Sequence, residues 1–444
     1  MKINDAFLIK GGKPLKGEVL ISGAKNAALK LIISSLLFDH PVTLKNVPEI
    51  GDVYALIELI KDLGGRAYFQ DKNVLYIDGR GLTKNKVNLY FGSKIRVSFM
   101  FFAPLLYRFG ECYIPNPGGC RIGARPIDRI IEGMQSLGIT VEYSPQTGYY
   151  CAKMAKKTNG YYRFQKPSHT GTEFLIMLSI FNQDKVIIEN PAKEPEIDNL
   201  IEFLNQNGAK IKKEKNKIVI EGIKKLNRPK PFSVTNDRNE VITYATLSLA
   251  SGGEILINSI DPDLIKTFLY KVKQTGNQFK IYSGGKIKFI GRPNFKAVNI
   301  TTAPHPGFMT DWQPNWAVLM TQAKGTALIH ERVFEGRFSY VEELKKLGAK
   351  IEFCQPKITD PEKYYYFNYD KNKQYLQAIK IHGPQVLHGG VLNITDLRAG
   401  ATVAIAALIA QGESIINNAS ILERGYEQFV EKITNLGGNI KKYE

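Results

Sequence analysis

Cys120 is one of four cysteines among 444 residues, and it stands in PNPGGCRIGARP (115–126) with three Pro, three Gly and two Arg around it. A thiol flanked by Arg121 and Arg125 sits in positive potential, which favours the thiolate. That suits a nucleophile or a proton donor. It also fits a small loop residue with no chemical role. Asp311 follows Thr310 and precedes an apolar helical pattern. It is either a helix N-cap or a general base that accepts a hydroxyl proton. Lys25, Arg96, Arg125, Arg337, Arg398 and Arg424 all lie in or beside glycine-rich or charged loops. Arginine presents a rigid fork that matches carboxylate and phosphate oxygens. Several in one cleft imply a small ligand with several negative charges. His305 in APHPGF is a further candidate, or a structural loop histidine.

Other chemistries lack their devices. GGCRIGARP is neither a P-loop nor a dinucleotide fingerprint. No HExxH, EF-hand or Cys/His ligand spacing occurs, so neither a metal nor another cofactor is expected. Cys112, Cys120, Cys151 and Cys354 form no CxxC or disulfide framework, and free thiols are expected. No apolar run approaches the roughly 18–20 residues of a membrane span. The start, MKINDAFLIKGG, has too short an apolar stretch for a signal peptide. The expectation is a cytoplasmic protein without a membrane partner. The formal net charge is +18, but the lysines are spread out, as in KKEKNK (212–217). Such runs form solvated faces. Nucleic-acid binders concentrate charge in stripes with aromatics, so a nucleic-acid partner is not expected.

The elements that must position these residues repeat six times. An amphipathic helical pattern ends in glycine at ALIELIKDLGG (to Gly65), IIEGMQSLG (Gly138), LIEFLNQNG (Gly208), FLYKVKQTG (Gly276), YVEELKKLG (Gly348) and FVEKITNLGG (Gly438). Glycine there enters the left-handed conformation without strain. A β-rich stretch follows each: RAYF, ITVEY, AKIKKE, NQFKIY, AKIEF and NIKKY. A short strand precedes each: VTLKNV, CYIPNP, VIIENP, ILINSI, ALIHER and SIINNA. Before that strand comes a helix apolar on all sides: AKNAALKLIISSLL, SKIRVSFMFFAPLL, TGTEFLIMLSIF, NEVITYATLSLAS, DWQPNWAVLMTQA and LRAGATVAIAALIA. Such a helix is buried all round. A unit of about 70 residues cannot cover its own faces, so units must cluster. Two domains of three units fit the length, and a cleft between similar halves is a common ligand site. The candidate loops fall at like positions before the helices and so converge.

The motifs GAKNAAL (23–29), PGGCRIGARPID (117–128), APHPGFMTDWQ (303–313), VFEGRF (333–338), TDLRAG (395–400) and ERGYE (423–427) resemble those of the enolpyruvyl transferases. The match runs along essentially the whole chain. The resemblance implies an α/β fold of two inside-out α/β barrel domains, with six α-β-α-β-β units, three per domain. It implies domains at 1–24 plus 236–444 and at 25–235. The implied reaction moves the enolpyruvyl group of phosphoenolpyruvate to the 3′-hydroxyl of UDP-N-acetylglucosamine and releases phosphate, the first committed step toward peptidoglycan. Cys120 is similar to the family's loop cysteine, a proton donor that bonds to phosphoenolpyruvate and to the antibiotic fosfomycin. Lys25 and Asn26 match the pair that holds phosphoenolpyruvate and sugar. Arg125, Arg398 and Arg424 match arginines around the phosphate and carboxylate, with Arg337 nearby. Arg96, the run Arg125, Pro126, Ile127, Asp128 and Arg129, and the run Lys166, Pro167, Ser168 and His169 match segments that line the UDP-sugar. Asp311 resembles the acceptor of the 3′-hydroxyl proton, and Val333 a backbone contact to the nucleotide sugar. KPSHTGTE (166–173) replaces the family's more usual S-V-G-A-T, and Ile242 replaces a small residue. Two alternatives remain: an enolpyruvyl transferase for another hydroxylated acceptor, and, more remotely, a basic nucleic-acid-binding protein.

Overall fold

The computed structural model describes residues 5–118 and 127–443. The expectations for Cys120, Arg125 and Pro126 fall outside these residues. The chain divides into two compact units, one of residues 5–22 with 236–443, the other of 23–118 with 127–235.

Each unit carries three of the six sheets found among the described residues. The sheets share one plan. The strand after each all-apolar helix lies inside the sheet at Val42–Lys45, Lys185–Glu189, Glu254–Asn258, Gly325–His330 and Glu413–Asn417, while Glu111–Pro115 is the edge of a three-stranded sheet and has a single bridge on its outer side. The strand after the helix runs antiparallel to one strand of a hairpin in four cases where the hairpin is local, such as Arg66–Asp71 with Val74–Asp78. On its other side it pairs in parallel with a short strand or bridge from another part of the chain. The last sheet borrows its hairpin partner from the chain start. Ala6–Lys10 lies antiparallel between Glu413–Asn417 and Asn439–Tyr443.

The apolar helices fill the centre of each unit. In the first unit Arg238–Ser251, Gln313–Thr321 and Leu397–Ile409 pack on one another. Almost every residue in them is buried, so their sequences carry no polar stripe. In the second, Lys25–Ser35 and His169–Ser179 have the same character. The amphipathic helices, such as Pro195–Gln206, keep an exposed face.

Two local expectations need correction. The predicted helix across 93–106 is broken. Ile95 is extended, Arg96–Phe101 is a 3₁₀ turn, and Phe102–Phe109 is the α-helix. Pro104 has no N–H for the carbonyl four residues back, and its ring crowds that turn, so a continuous helix is interrupted there. In the two LGG endings the left-handed residue is the first glycine, Gly64 (φ +99°) and Gly437 (φ +85°), rather than Gly65 and Gly438. The other four endings behave as expected, with φ between +87° and +95° at Gly138, Gly208, Gly276 and Gly348.

Among the described residues no helix is long and apolar enough to cross a membrane. None of their His, Cys, Asp or Glu side chains form a group of three or more able to hold a metal ion. Cys112, Cys151 and Cys354 are free thiols.

Candidate functional site

In the first unit, one carboxylate joins two arginines. Asp311 sits in the turn before helix Gln313–Thr321, but Trp312 is the N-cap residue and no side chain caps the helix. Asp311 is engaged elsewhere. Arg337 Nη2 lies 2.5 Å from Asp311 Oδ1, and Arg398 Nε lies 3.5 Å from Asp311 Oδ2. Two guanidinium groups thus flank the carboxylate. The arginine side chains are 2% and 7% exposed, against 21% for Asp311. The carboxylate is therefore the more accessible member.

Each arginine is held from behind. Arg337 Nη1 is 3.7 Å from Asp396 Oδ1, and Arg337 Nε donates to the Thr310 carbonyl at 3.4 Å. Asp396 also caps helix Leu397–Ile409 by accepting from the N–H groups of Arg398 and Ala399. The cap that starts this helix thus fixes Arg398 in its first turn. Arg398 Nη1 donates to Tyr426 Oη at 3.2 Å, and Tyr426 Oη is 2.8 Å from Thr243 Oγ1. Burial disfavours the Arg398 charge, but Tyr426 and Asp311 outweigh it and hold its pKa above the ordinary arginine value. Burial pushes the Tyr426 hydroxyl upward. Arg424, half-buried, ends the short helix Ser420–Glu423 two residues before Tyr426.

Val333 lies after strand Gly325–His330. The buried Glu331 accepts from the Val333 N–H at 2.7 Å, from the Phe334 N–H at 3.1 Å and from Thr310 Oγ1 at 2.9 Å. Burial raises the Glu331 pKa against these donors. A backbone contact from Val333 to a ligand therefore falls to its carbonyl. Arg238, 1% exposed, lies with Nη1 3.1 Å from His305 Nδ1. His305 is thus tied to a neighbouring side chain.

In the second unit, the candidate residues cluster at helix starts. Lys25 opens helix Lys25–Ser35, and its Nζ lies 2.6 Å from Asp52 Oδ2, with the side chains 11% and 9% exposed. Asn26 beside it is half-buried. Arg96 opens the 3₁₀ turn. Ile127 precedes helix Asp128–Ser136, with Asp128 exposed and Arg129 half-buried in its first turn. Burial lowers the Arg129 pKa. Lys166, Pro167 and Ser168 lead into helix His169–Ser179, where the Ser168 hydroxyl accepts from the Gly171 N–H at 3.2 Å. The free N–H groups and the dipole make a helix start receptive to anions. Helices Asp128–Ser136 and His169–Ser179 pack together, as do Lys25–Ser35 and the Arg96–Phe101 turn.

The arrangement can take a proton at Asp311, and it can bind anionic groups at Arg398 and at the helix starts. Its frame is shared by known proteins. The family described as EPSP synthase (3-phosphoshikimate 1-carboxyvinyltransferase) matches residues 9–433. The chain belongs to the EPSP synthase family. The UDP-N-acetylglucosamine 1-carboxyvinyltransferase of Thermodesulfovibrio yellowstonii is 38% identical over 439 residues, covering 99% of each chain. That of Bartonella quintana is 37% identical over 451 aligned positions, again covering 99% of each. Among solved structures, the enolpyruvyl transferase NikO from Streptomyces tendae shares the fold with a TM-score of 0.85 at 20% identity, over 99% of each chain. An EPSP synthase from Acinetobacter baumannii shares it with a TM-score of 0.71 at 17% identity, over 99% of this chain and 100% of that one.

For this member of the EPSP synthase family, sequence reasoning missed the residues that hold the candidates. Asp52 was not singled out. Glu331, Asp396 and Tyr426 lay inside quoted stretches without a role. Arg238, just before NEVITYATLSLAS, was not recognised as a buried cation. The one available signal was charge inside otherwise apolar segments.

Proposed function

We propose that the chain transfers the enolpyruvyl group of phosphoenolpyruvate to the 3′-hydroxyl of UDP-N-acetylglucosamine, with release of phosphate. The observation that carries this reading is the accessible Asp311 carboxylate between Arg337 and Arg398, in a chain similar over its full length to enzymes named for this reaction. Asp311 takes the proton of the attacking hydroxyl. The oxygen adds to C2 of phosphoenolpyruvate while C3 takes a proton from Cys120, giving a tetrahedral intermediate. C3 then returns a proton to the Cys120 thiolate as the C2–O bond to phosphate breaks, and the phosphate leaves with the proton held at Asp311. Arg398, Arg424 and Arg125 stabilise negative charge on the carboxylate and the departing phosphate. Lys25 and Asn26 hold phosphoenolpyruvate and sugar. Arg96, Ile127 to Arg129 with Pro126, and Lys166 to His169 line the nucleotide sugar. The unit with both termini supplies Asp311, and the glycine-rich loop of Cys120 serves as a lid. No cofactor or metal takes part. Such an enzyme works in the cytoplasm, at the entry to peptidoglycan synthesis.

The test is phosphate release from phosphoenolpyruvate with UDP-N-acetylglucosamine as acceptor. Turnover that needs both substrates is expected, and a folded protein without turnover overturns the proposal. Other hydroxylated acceptors in the same assay separate this reading from a different acceptor, which the KPSHTGTE segment makes worth testing. Fosfomycin labelling is expected on Cys120. Cys120→Ala abolishes it, while Cys120→Asp keeps activity and resists the drug.

A further inference from the structure

Helix His169–Ser179 begins beside a buried charge cluster of which only His169 has a part in the proposed reaction. Lys30 Nζ lies 3.1 Å from Glu173 Oε2, with the side chains 3% and 0% exposed. His169 Nε2 lies 3.3 Å from Glu173 Oε1 and 4.0 Å from Glu196 Oε2. Glu194, at the start of helix Pro195–Gln206, is buried as well and acts on His169 electrostatically. His169 thus stands between Glu173, which also pairs with Lys30, and Glu196.

An uncompensated buried carboxylate is costly. The start of helix Pro195–Gln206 eases that cost for Glu194 and Glu196 through its dipole. Glu173 lies past the first turn of its own helix and gains little this way. Neither of its carboxylate oxygens has a well-formed hydrogen bond among the described residues. An imidazolium at His169 gives Glu173 a second cationic partner beside Lys30. Burial, Lys30 and the dipole of its own helix oppose it. Burial is the largest single influence, yet Glu173 and Glu194 together prevail, and the His169 pKa is raised.

We propose that His169 is a positioning residue for the nucleotide sugar. Its imidazolium ties the first turn of helix His169–Ser179 to Glu173 and to Glu196 on the neighbouring helix. That tie holds the 166–170 segment in shape for the diphosphate and adds positive potential there. The inference rests on the proposed function, and it gives the S-H-T-G-T reading at 168–172 a physical consequence. Loss of the proton loosens the segment, so affinity for the nucleotide sugar falls as pH rises.

The test joins NMR titration of the His169 ring with binding and kinetics of UDP-N-acetylglucosamine across pH. The His169 midpoint is expected above 6.5 and lower in Glu196→Gln. The wild-type Kd and KM for the nucleotide sugar are expected to rise about fivefold through that midpoint. In His169→Val both stay at the weaker value at every pH, and His169→Gln recovers part of the loss. The KM effect is expected without a matching change in kcat or in KM for phosphoenolpyruvate. A midpoint at or below the ordinary value, or an unchanged pH profile in His169→Val, overturns the proposal. Folded wild-type protein that binds no nucleotide sugar overturns the proposed function and this inference together. Binding with a pH-independent Kd overturns this inference alone.

Discussion

Asp311 and Arg337 carry different burdens although they share an ion pair. Asp311 is the accessible partner, and its proposed work is to accept a proton. Asp311→Asn keeps the shape and removes the base. It is expected to lower kcat by about 10²- to 10⁴-fold with small changes in either KM, as measured in steady-state phosphate release. An unchanged kcat would remove Asp311 from the mechanism. Arg337 is buried between Asp311 and Asp396. Arg337→Ala leaves Asp396 buried without that partner and is expected to cost about 3–5 kcal/mol of stability, read from urea unfolding. A loss under about 1 kcal/mol would show that the cap at Asp396 needs no neutralising partner. Asp311 and Arg398 were singled out because a carboxylate and a guanidinium stand in loops before apolar helices, although an N-cap suits an aspartate there as well. Asp52, Glu331 and Arg238 were not. Each matters through a partner that folding brings to it, such as Lys25 for Asp52, and sequence spacing carries no record of that distance.

The glycine endings show what an element's sequence can and cannot declare. The need for a left-handed residue was readable at all six. Which of two adjacent glycines takes it was not, because either satisfies the pattern. Gly138 has φ +87° and open space around a built Cβ, so Gly138→Ala isolates backbone strain and is expected to cost about 1 kcal/mol. Gly138→Asn is expected to cost less, since asparagine tolerates this conformation. At Gly64 a Cβ would stand 2.6 Å from the Gly81 carbonyl oxygen, so Gly64→Ala is expected to cost more than Gly138→Ala in the same unfolding measurement. Equal losses would show that steric contact adds nothing to the backbone term. The strand Gly325–His330 makes a pH-dependent contribution. Burial, with Arg332 nearby, lowers the His330 pKa to about 4. The neutral ring is therefore the folded form, and the unfolded chain binds the proton more readily. Its contribution is complete above the ordinary histidine value of 6.5 and is lost as pH falls toward 4. His330→Gln is expected to flatten stability between those limits, and an unchanged slope would assign it to other groups.

At the scale of the whole molecule, the repeat made the architecture legible before any single motif did. Six copies of one pattern require six sheets, and the described residues form six. What the pattern did not reveal was how the last sheet is completed. Its sixth unit ends near the C-terminus with too few strands of its own, and Ala6–Lys10 fills the gap. Phe7 and Ile9 of that strand are fully buried, each contributing about 1.5–3 kcal/mol by burial, and the strand has a ladder on both sides. Removal of residues 1–10 therefore exposes the inner edges of Glu413–Asn417 and Asn439–Tyr443. The second unit has an apolar cluster drawn wholly from its own residues, between Ala24 and Val234. Limited proteolysis of the shortened chain is accordingly expected to cut first within 236–443 and to leave resistant fragments from 23–235, identified by mass spectrometry. Simultaneous loss of both units would mean that they unfold as one cooperative body, and resistance equal to the full chain would mean that the borrowed strand is dispensable.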